Sequence, residues 1–388
     1  MAAPAVTVRV GLDHVDAEGA GPLRGKRVGL VAHAGSVTAD GRHAIDVLRA
    51  RGVSLLRLFT PEHGLEGRAE AGVPVAARRD PRSGLPVVSL YGAKTRPGRE
   101  DLEDLDALVF DLQDAGVRFY TYLGTMILCL EAAAQAGIEM IVLDRPNPLG
   151  GELVEGPEAE PGPMGRNLLS LAPGPLVHGL TAGEMARLAA SRLPKRARLT
   201  VVPMEGWRRS MRWEDTGRAW VAPSPNLRSA EAALAYPGTA LLEATNVSEG
   251  RGTESPFLLL GAPWLRPEDM VGAIEVPGFT LTPARFTPRA SDAASEPKYR
   301  DEECAGLRVS VTDPRTARPY ALGIALLRAL RSRPGFRWSR DGAALDTLLG
   351  TSRPRLALES GASVDAVLQG DGAGIESFRR SRERWLIY

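Results

Sequence analysis

A carboxylate and an imidazole stand side by side in Pro61-Glu62-His63-Gly64, directly after an apolar run of strand length, Leu55-Leu56-Arg57-Leu58-Phe59-Thr60. These residue types do proton chemistry. A carboxyl held in a fixed direction beside a proline, and shielded from water, can donate a proton near neutral pH. A neighbouring histidine can orient or share that proton. The plainer alternatives are a Glu62 that caps a following helix and a His63 that is a hydrogen-bonded structural residue. Glu66 suits the first turn of such a helix, where the dipole satisfies it. Asp111 and Asp114 flank Gln113 at i,i+3. They form either an acid/base or sugar-hydroxyl cluster or, for one of them, a tie between loops. Arg118-Phe119-Tyr120-Thr121-Tyr122 sets aromatics beside a guanidinium. Aromatic faces suit the apolar side of a pyranose and arginine suits a carboxylate; Phe119 reads better as helix packing. Asp144-Arg145-Pro146-Asn147-Pro148 is either a salt-bridged turn or a ligand loop. Glu249-Gly250-Arg251-Gly252-Thr253-Glu254 combines charge with two glycines, which permit close backbone approach or a turn of positive φ.

The elements that must position these groups are legible as a series. Apolar runs at 28–31, 55–59, 86–90, 107–110 and 140–143 read as buried strands, with helical spacing at Ala44, Ile45, Val47 and Leu48 and a longer helix over 121–136 stopped by Gly137. Continuous apolar strands between helices predict a parallel sheet in an α/β fold. Each run turns polar or aromatic at its carboxyl end, the edge where open α/β sheets bind ligands. Residues 150–175 read as a long functional loop. Thr181-Ala182-Gly183-Glu184 is a capping box, and 199–203 is a further strand. The proline-dense stretch 220–227 is neither helix nor central strand. A boundary near 228–230 divides the chain into a parallel-sheet α/β domain, 24–229, and a smaller α+β domain, 230–388. In the second half Tyr236-Pro237-Gly238-Thr239 reads as a turn into a short helix, 307–311 as a strand and 323–330 as a helix. Arg379, Arg380, Arg382 and Arg384 read as a solvated helix face.

Composition narrows the class. The formal net charge of the 388-residue chain is +1, so no global field draws nucleic acid or an anionic membrane. No run reaches the ~18–20 apolar residues of a membrane span. The start of the chain, residues 1–6, lacks a charged and apolar signal pattern, which on the sequence alone predicts a cytoplasmic protein. Cys129 and Cys304 form no CxxC pair, against a structural zinc site or disulfide scaffold. There is no GxxxxGK[ST] loop, no HExxH and no GxSxG. Gly19, Gly21 and Gly25 precede the first strand, where a dinucleotide fingerprint follows one. No cofactor is expected. A metal site using His33, His63 and Asp111 or Asp144 matches no local ligand spacing.

Taken together, Pro61-Glu62-His63-Gly64, Ser89-Leu90-Tyr91-Gly92, the run from Asp111 to Tyr122, Asp144-Arg145-Pro146-Asn147-Pro148 and Ser248-Glu249-Gly250-Arg251-Gly252-Thr253-Glu254 resemble the signatures of the NamZ-type exo-β-N-acetylmuramidases, long catalogued as a bacterial domain of unknown function. The resemblance runs from about residue 27 to the C-terminus. It implies a Rossmann-like domain and a smaller C-terminal domain with the cleft between them, and exolytic release of a terminal β-linked N-acetylmuramic acid (MurNAc) from the non-reducing end of peptidoglycan fragments. It places the prime catalytic candidate on Glu62, as general acid. The opposite face of the sugar falls to Asp114, Asp111 or Glu249, or to the substrate's own 2-acetamido group. Arg118 or Arg251 would pair with the lactyl carboxylate and Tyr122 would serve the acetamido pocket. His63, Tyr91, Asp111, Asp144, Asn147 and Glu254 complete the expected substrate contacts. Relatives are often exported. The competing readings are a sugar- or anion-binding module that kept the cleft without the chemistry, and a metal-dependent hydrolase using His33, His63 and Asp111.

Overall fold

The computed structural model describes residues 7–74, 78–161, 167–272 and 274–388; residues 1–6, read above for an export signal, lie outside them. Its strands are β1 (Arg27–Ala32), β2 (Ser54–Thr60), β3 (Arg78–Arg79), β4 (Pro86–Ser89), β5 (Ala107–Asp111), β6 (Glu139–Leu143), β7 (Glu155–Glu158), β8 (Pro175–Val177), β9 (Arg198–Val202), β10 (Leu259–Ala262), β11 (Phe279–Phe286) and β12 (Cys304–Val311). Its α-helices are α1 (Gly11–Ala17), α2 (Ala44–Ala50), α3 (Thr121–Ala136), α4 (Ala182–Ala190), α5 (Ala230–Thr239), α6 (Pro319–Arg331), α7 (Ala343–Leu349), α8 (Arg353–Glu359) and α9 (Val364–Arg382).

The central sheet has the order β3-β4-β2-β1-β5-β6-β9, all parallel except the short edge strand β3. Counting only the parallel strands in chain order gives 3-2-1-4-5-6, the doubly wound arrangement of the Rossmann fold. The apolar runs alternate between two faces, as strand geometry demands. Val28, Leu30, Ala32, Val109, Ile141 and Leu143 pack under α1 and α2. Val31, Leu108, Phe110, Met140 and Val142 pack under α3 and α4. Gly137 stops α3 in the left-handed conformation, φ 76°. Thr181 and Glu184 close the capping box of α4, each accepting the other's backbone amide. The C-terminal domain is smaller, with an antiparallel sheet β10-β12-β11 beside α5 to α9. Among the described residues no helix is long and apolar enough to cross a membrane.

Several expectations are corrected. No helix follows β2; residues 61–67 form consecutive turns, so Glu62 caps no helix and Glu66 sits on an exposed turn. The stretch 150–175 contains β7 and runs into its antiparallel partner β8, and α9 lays Phe378 beside Gly174; 162–166 lie outside the described residues. Tyr236-Pro237-Gly238-Thr239 is the last turn of α5, which begins at the Ser229 cap. Proline and glycine persist there because Gly238 meets α6 closely: a Cβ on it would lie 2.0 Å from the Pro319 carbonyl oxygen. Arg382 is buried, not solvated; its guanidinium donates to His178 O (2.8 Å) and Gly179 O (3.0 Å).

Candidate active site

Two turns carry the chain out of β2. Gly64 N donates to Pro61 O (3.2 Å) and Gly67 N to Gly64 O (3.1 Å), with His63 at φ 71° and Gly64 at φ 74°. A left-handed backbone is costly for histidine, and it holds the Glu62 side chain across the sheet edge toward the start of α3. There Thr121 Oγ1 donates to Glu62 Oε2 (2.8 Å) and Gly72 N donates to Oε1 (2.8 Å). The positive end of the α3 dipole faces the same carboxyl. Glu62 is only 8% exposed.

The carboxyl opens into a cavity of about 140 Å³ between the two domains. Glu62, His63, Tyr91, Phe119, Tyr120 and Thr121 line one side; Tyr236, Glu243, Arg251 and Phe257 line the other. The aromatics form one T-stacked wall, with Phe119–Tyr236 at 5.4 Å and Tyr236–Phe257 at 4.7 Å between ring centroids. Phe119, expected as helix packing, is thus part of the cavity wall. His63 Nδ1 donates to Ala69 O (2.8 Å). Burial pushes its pKa down against the opposing pull of Glu62, so the neutral ring leaves Nε2 as an acceptor. Burial and the hydrogen bond to Glu62 push the Tyr91 hydroxyl up, so it stays a proton-bearing donor.

The cation of the cavity is Arg251. It bonds Glu243 Oε1 through Nη2 (2.7 Å) and Glu249 Oε1 through Nε (3.2 Å), and lies 5.1 Å over the Phe257 ring. The other Glu249 oxygen accepts from Lys298 Nζ (3.0 Å). Those cations hold the Glu249 carboxyl below its usual range despite burial. Glu249 does not line the cavity; it anchors the residue that does.

Of the residues expected from sequence, Glu62, His63, Tyr91 and Arg251 meet at the cavity. Tyr122 supports it from behind: its ring packs on Tyr120 (4.6 Å) and its hydroxyl donates to Pro223 O (2.6 Å). Asp114 also lies behind the wall. It is buried, accepts from Gly116 N (2.7 Å) and stands 4.0 Å from His178 Nε2. Burial pushes its carboxyl up to about 7 and the His178 ring down to about 3.

The remaining candidates hold loops together. Arg145 grips Asp111 with two bonds (2.6 and 2.9 Å). Asp144 accepts from Thr181 Oγ1, Gly183 N and the Tyr388 hydroxyl. Asn147 accepts from Leu149 N and donates to Leu180 O. Arg118 is 0% exposed and donates to the carbonyls of Pro157, Gly174 and Leu349. Glu254 is fully exposed, 3.9 Å from Arg228. The trio His33, His63 and Asp111 does not assemble: His33 Nε2 accepts from Gln113 N (2.9 Å) and Asp111 belongs to Arg145. Among the described residues no three His, Cys, Asp or Glu side chains are placed to hold a metal ion. At the carboxyl ends of β1 and β5, where this fold binds dinucleotides, Gly35, Gln113 and Arg145 line a hollow of about 70 Å³. Sequence reasoning missed Tyr236 and Glu243, which come from α5 and the turn after it and carry no motif of their own.

Among the described residues, two larger hollows lie elsewhere. The one of about 550 Å³ is rimmed by Arg42, Asp46, Asp80 and Arg82; Arg42 and Arg82 are ion-paired to carboxylates, Arg82 to Asp46 (3.0 Å), and Asp80 binds Ser83 in its turn. The other, of about 420 Å³, lies between α3 and the segment before β8. Neither contains Glu62.

A Rossmann-type domain with an acidic, aromatic cavity at one strand end, closed by a smaller α+β domain, defines the class. The chain belongs to the NamZ family: residues 28–231 match the model described as exo-beta-N-acetylmuramidase NamZ, N-terminal, and 234–388 match its C-terminal counterpart. It is 38% identical, over 98% of its length and 91% of the relative's, to the peptidoglycan beta-N-acetylmuramidase NamZ of Bacillus subtilis (strain 168). Two crystal structures of DUF1343 family proteins from Bacteroides fragilis share the fold. One has a TM-score of 0.89 at 30% identity, covering 99% of this chain and all of that one; the other has 0.78 at 28%, covering 98% and 99%.

Proposed function

We propose that this protein is an exo-acting glycoside hydrolase that releases terminal β-linked MurNAc from the non-reducing end of peptidoglycan fragments, with Glu62 as general acid. The observation that carries the reading is the shielded Glu62 carboxyl lining a cavity walled by both domains, in a chain of this family. A cavity of about 140 Å³ is small beside the ~300–1,000 Å³ of ordinary ligand pockets. It has room for part of one terminal sugar rather than a run of them, which favours exo action. Glu62 protonates the glycosidic oxygen as the bond from C1 breaks. The aromatic wall takes the apolar face of the ring. Arg251 pairs with the lactyl carboxylate that distinguishes muramic acid from glucosamine, and His63 Nε2 and the Tyr91 hydroxyl bind ring substituents.

The test is turnover of a chromogenic aryl β-MurNAc by the wild type and by Glu62→Gln. Loss of a general acid lowers kcat by about 10²–10⁴-fold, with binding of MurNAc by calorimetry retained. MurNAc bound without turnover by the wild type would instead favour a binding module, and wild-type kcat in the variant would remove Glu62 from the mechanism.

A further inference from the structure

Glu62 is one carboxylate of the cavity; Glu243 is the other, and it was not anticipated from sequence. It sits in the turn after α5, lines the cavity from the C-terminal domain, and gives one oxygen to Arg251 at 2.7 Å. Asp114 and Glu249 are not cavity residues, and both oxygens of Glu249 are taken by Arg251 and Lys298. Lys298, Glu249, Arg251 and Glu243 thus form a line of alternating charge. Lys298 Nζ, at its far end, is fixed by the carbonyls of Leu242 and Val247 (2.9 and 3.0 Å). The line ends in the cavity on Glu243, so that carboxylate is held in place before any ligand arrives.

We infer that Glu243 accepts the N–H of the substrate's 2-acetamido group and directs its carbonyl oxygen at C1. The role rests on the muramidase reading above. The chemistry of the sugar supports the assignment: the lactyl ether is on O3 and the acetamido group on the adjacent C2. A carboxylate within 2.7 Å of the guanidinium that receives the lactyl carboxylate therefore lies beside the C2 substituent. In the first step the acetamido oxygen forms a bond to C1, the C1–O bond to the leaving sugar breaks, and the leaving oxygen takes the Glu62 proton. The resulting oxazolinium carries its positive charge on the N–H that Glu243 holds. In the second step water attacks C1 and gives its proton to Glu62, the C1–O bond of the oxazoline opens, and MurNAc leaves with its β configuration retained. A fixed charge aimed at where positive charge develops acts mainly on kcat.

The test uses the full chain and aryl β-MurNAc substrates carrying N-acetyl, N-fluoroacetyl, N-difluoroacetyl and N-trifluoroacetyl groups. Expected are a wild-type kcat that falls with each added fluorine, a β-anomer as first product by NMR, and a loss in kcat of about 100-fold in Glu243→Gln and Glu243→Ala at unchanged melting temperature. A flat fluorine dependence or an α-anomer overturns the inference without need of a variant, as does wild-type kcat in Glu243→Ala. Cleavage of aryl β-GlcNAc but not aryl β-MurNAc overturns the muramic acid specificity; the same fluorine dependence there, with kcat lost in Glu243→Gln, supports the role of Glu243, since the acetamido group is common to both. Turnover of neither overturns both.

Discussion

At the scale of single residues, the buried pair Asp114 and His178 behind the cavity sets a pH dependence. The Asp114 pKa is raised to about 7, so the native state holds a proton that the unfolded chain releases near pH 4. Its contribution to stability is whole below about pH 4 and is lost as pH rises to about 7. His178 is lowered to about 3; its contribution is whole above about pH 6.5 and is lost as pH falls toward 3. Between about pH 4 and 6.5 the two slopes oppose each other, each about 1.4 kcal/mol per pH unit. Asp114→Asn should therefore unmask the histidine, so that denaturant midpoints rise with pH across this window relative to wild type. His178→Asn should unmask the aspartate and make them fall. Parallel pH profiles in all three proteins would count against the assignment.

The same scale shows what a sequence can say about a site. Glu62, His63 and Tyr91 were legible because each stands just past an apolar strand, where the topology delivers it to the binding edge. Arg251 was legible through its glycines. Asp111, Arg118, Asp144 and Asn147 occupy equally suggestive positions, yet each is spent on a neighbouring loop. A carboxylate bound to Arg145 and one bound to a sugar look alike until the partner is seen.

At the scale of elements, the parallel strands and their helices could be read from hydrophobic alternation and stop signals, down to α3 ending at Gly137. What escaped was set by tertiary contact. Pro237 and Gly238 carry the local signature of a turn but end α5, because α6 crosses there with almost no separation: a Cβ on Gly323 would lie 2.7 Å from the Gly238 Cα. Gly238→Ala should force the helices apart and lower stability by about 1–3 kcal/mol, measured by urea unfolding. A change within about 0.3 kcal/mol would show that the crossing has slack. Strands β7, β8, β10 and β11 were missed for a related reason: they are short, exposed or broken by glycine and proline, and pairing, not propensity, makes them strands.

At the scale of the whole molecule, the C-terminal helix α9 returns to the first domain and ties it through Arg382. Replacing Arg382 by Met strips a charged donor from two buried carbonyls and should cost about 2–3 kcal/mol, read as a lower denaturation midpoint with kcat little changed. An unaltered midpoint would mean that the tie is dispensable. The two halves are joined more deeply than by such ties. One continuous apolar core contains Val31, Phe59, Phe110 and Tyr122 from the first half and Leu260, Leu307, Leu322 and Phe378 from the second. Swinging the halves apart would wet that core. Exposing even about 400 Å² would cost on the order of 10 kcal/mol, as much as holds an ordinary domain together. A glycan end therefore cannot be admitted by a hinge, as by a clam shell. Room for the rest of the sugar must come from side chains and turns at the rim, not from parting the halves.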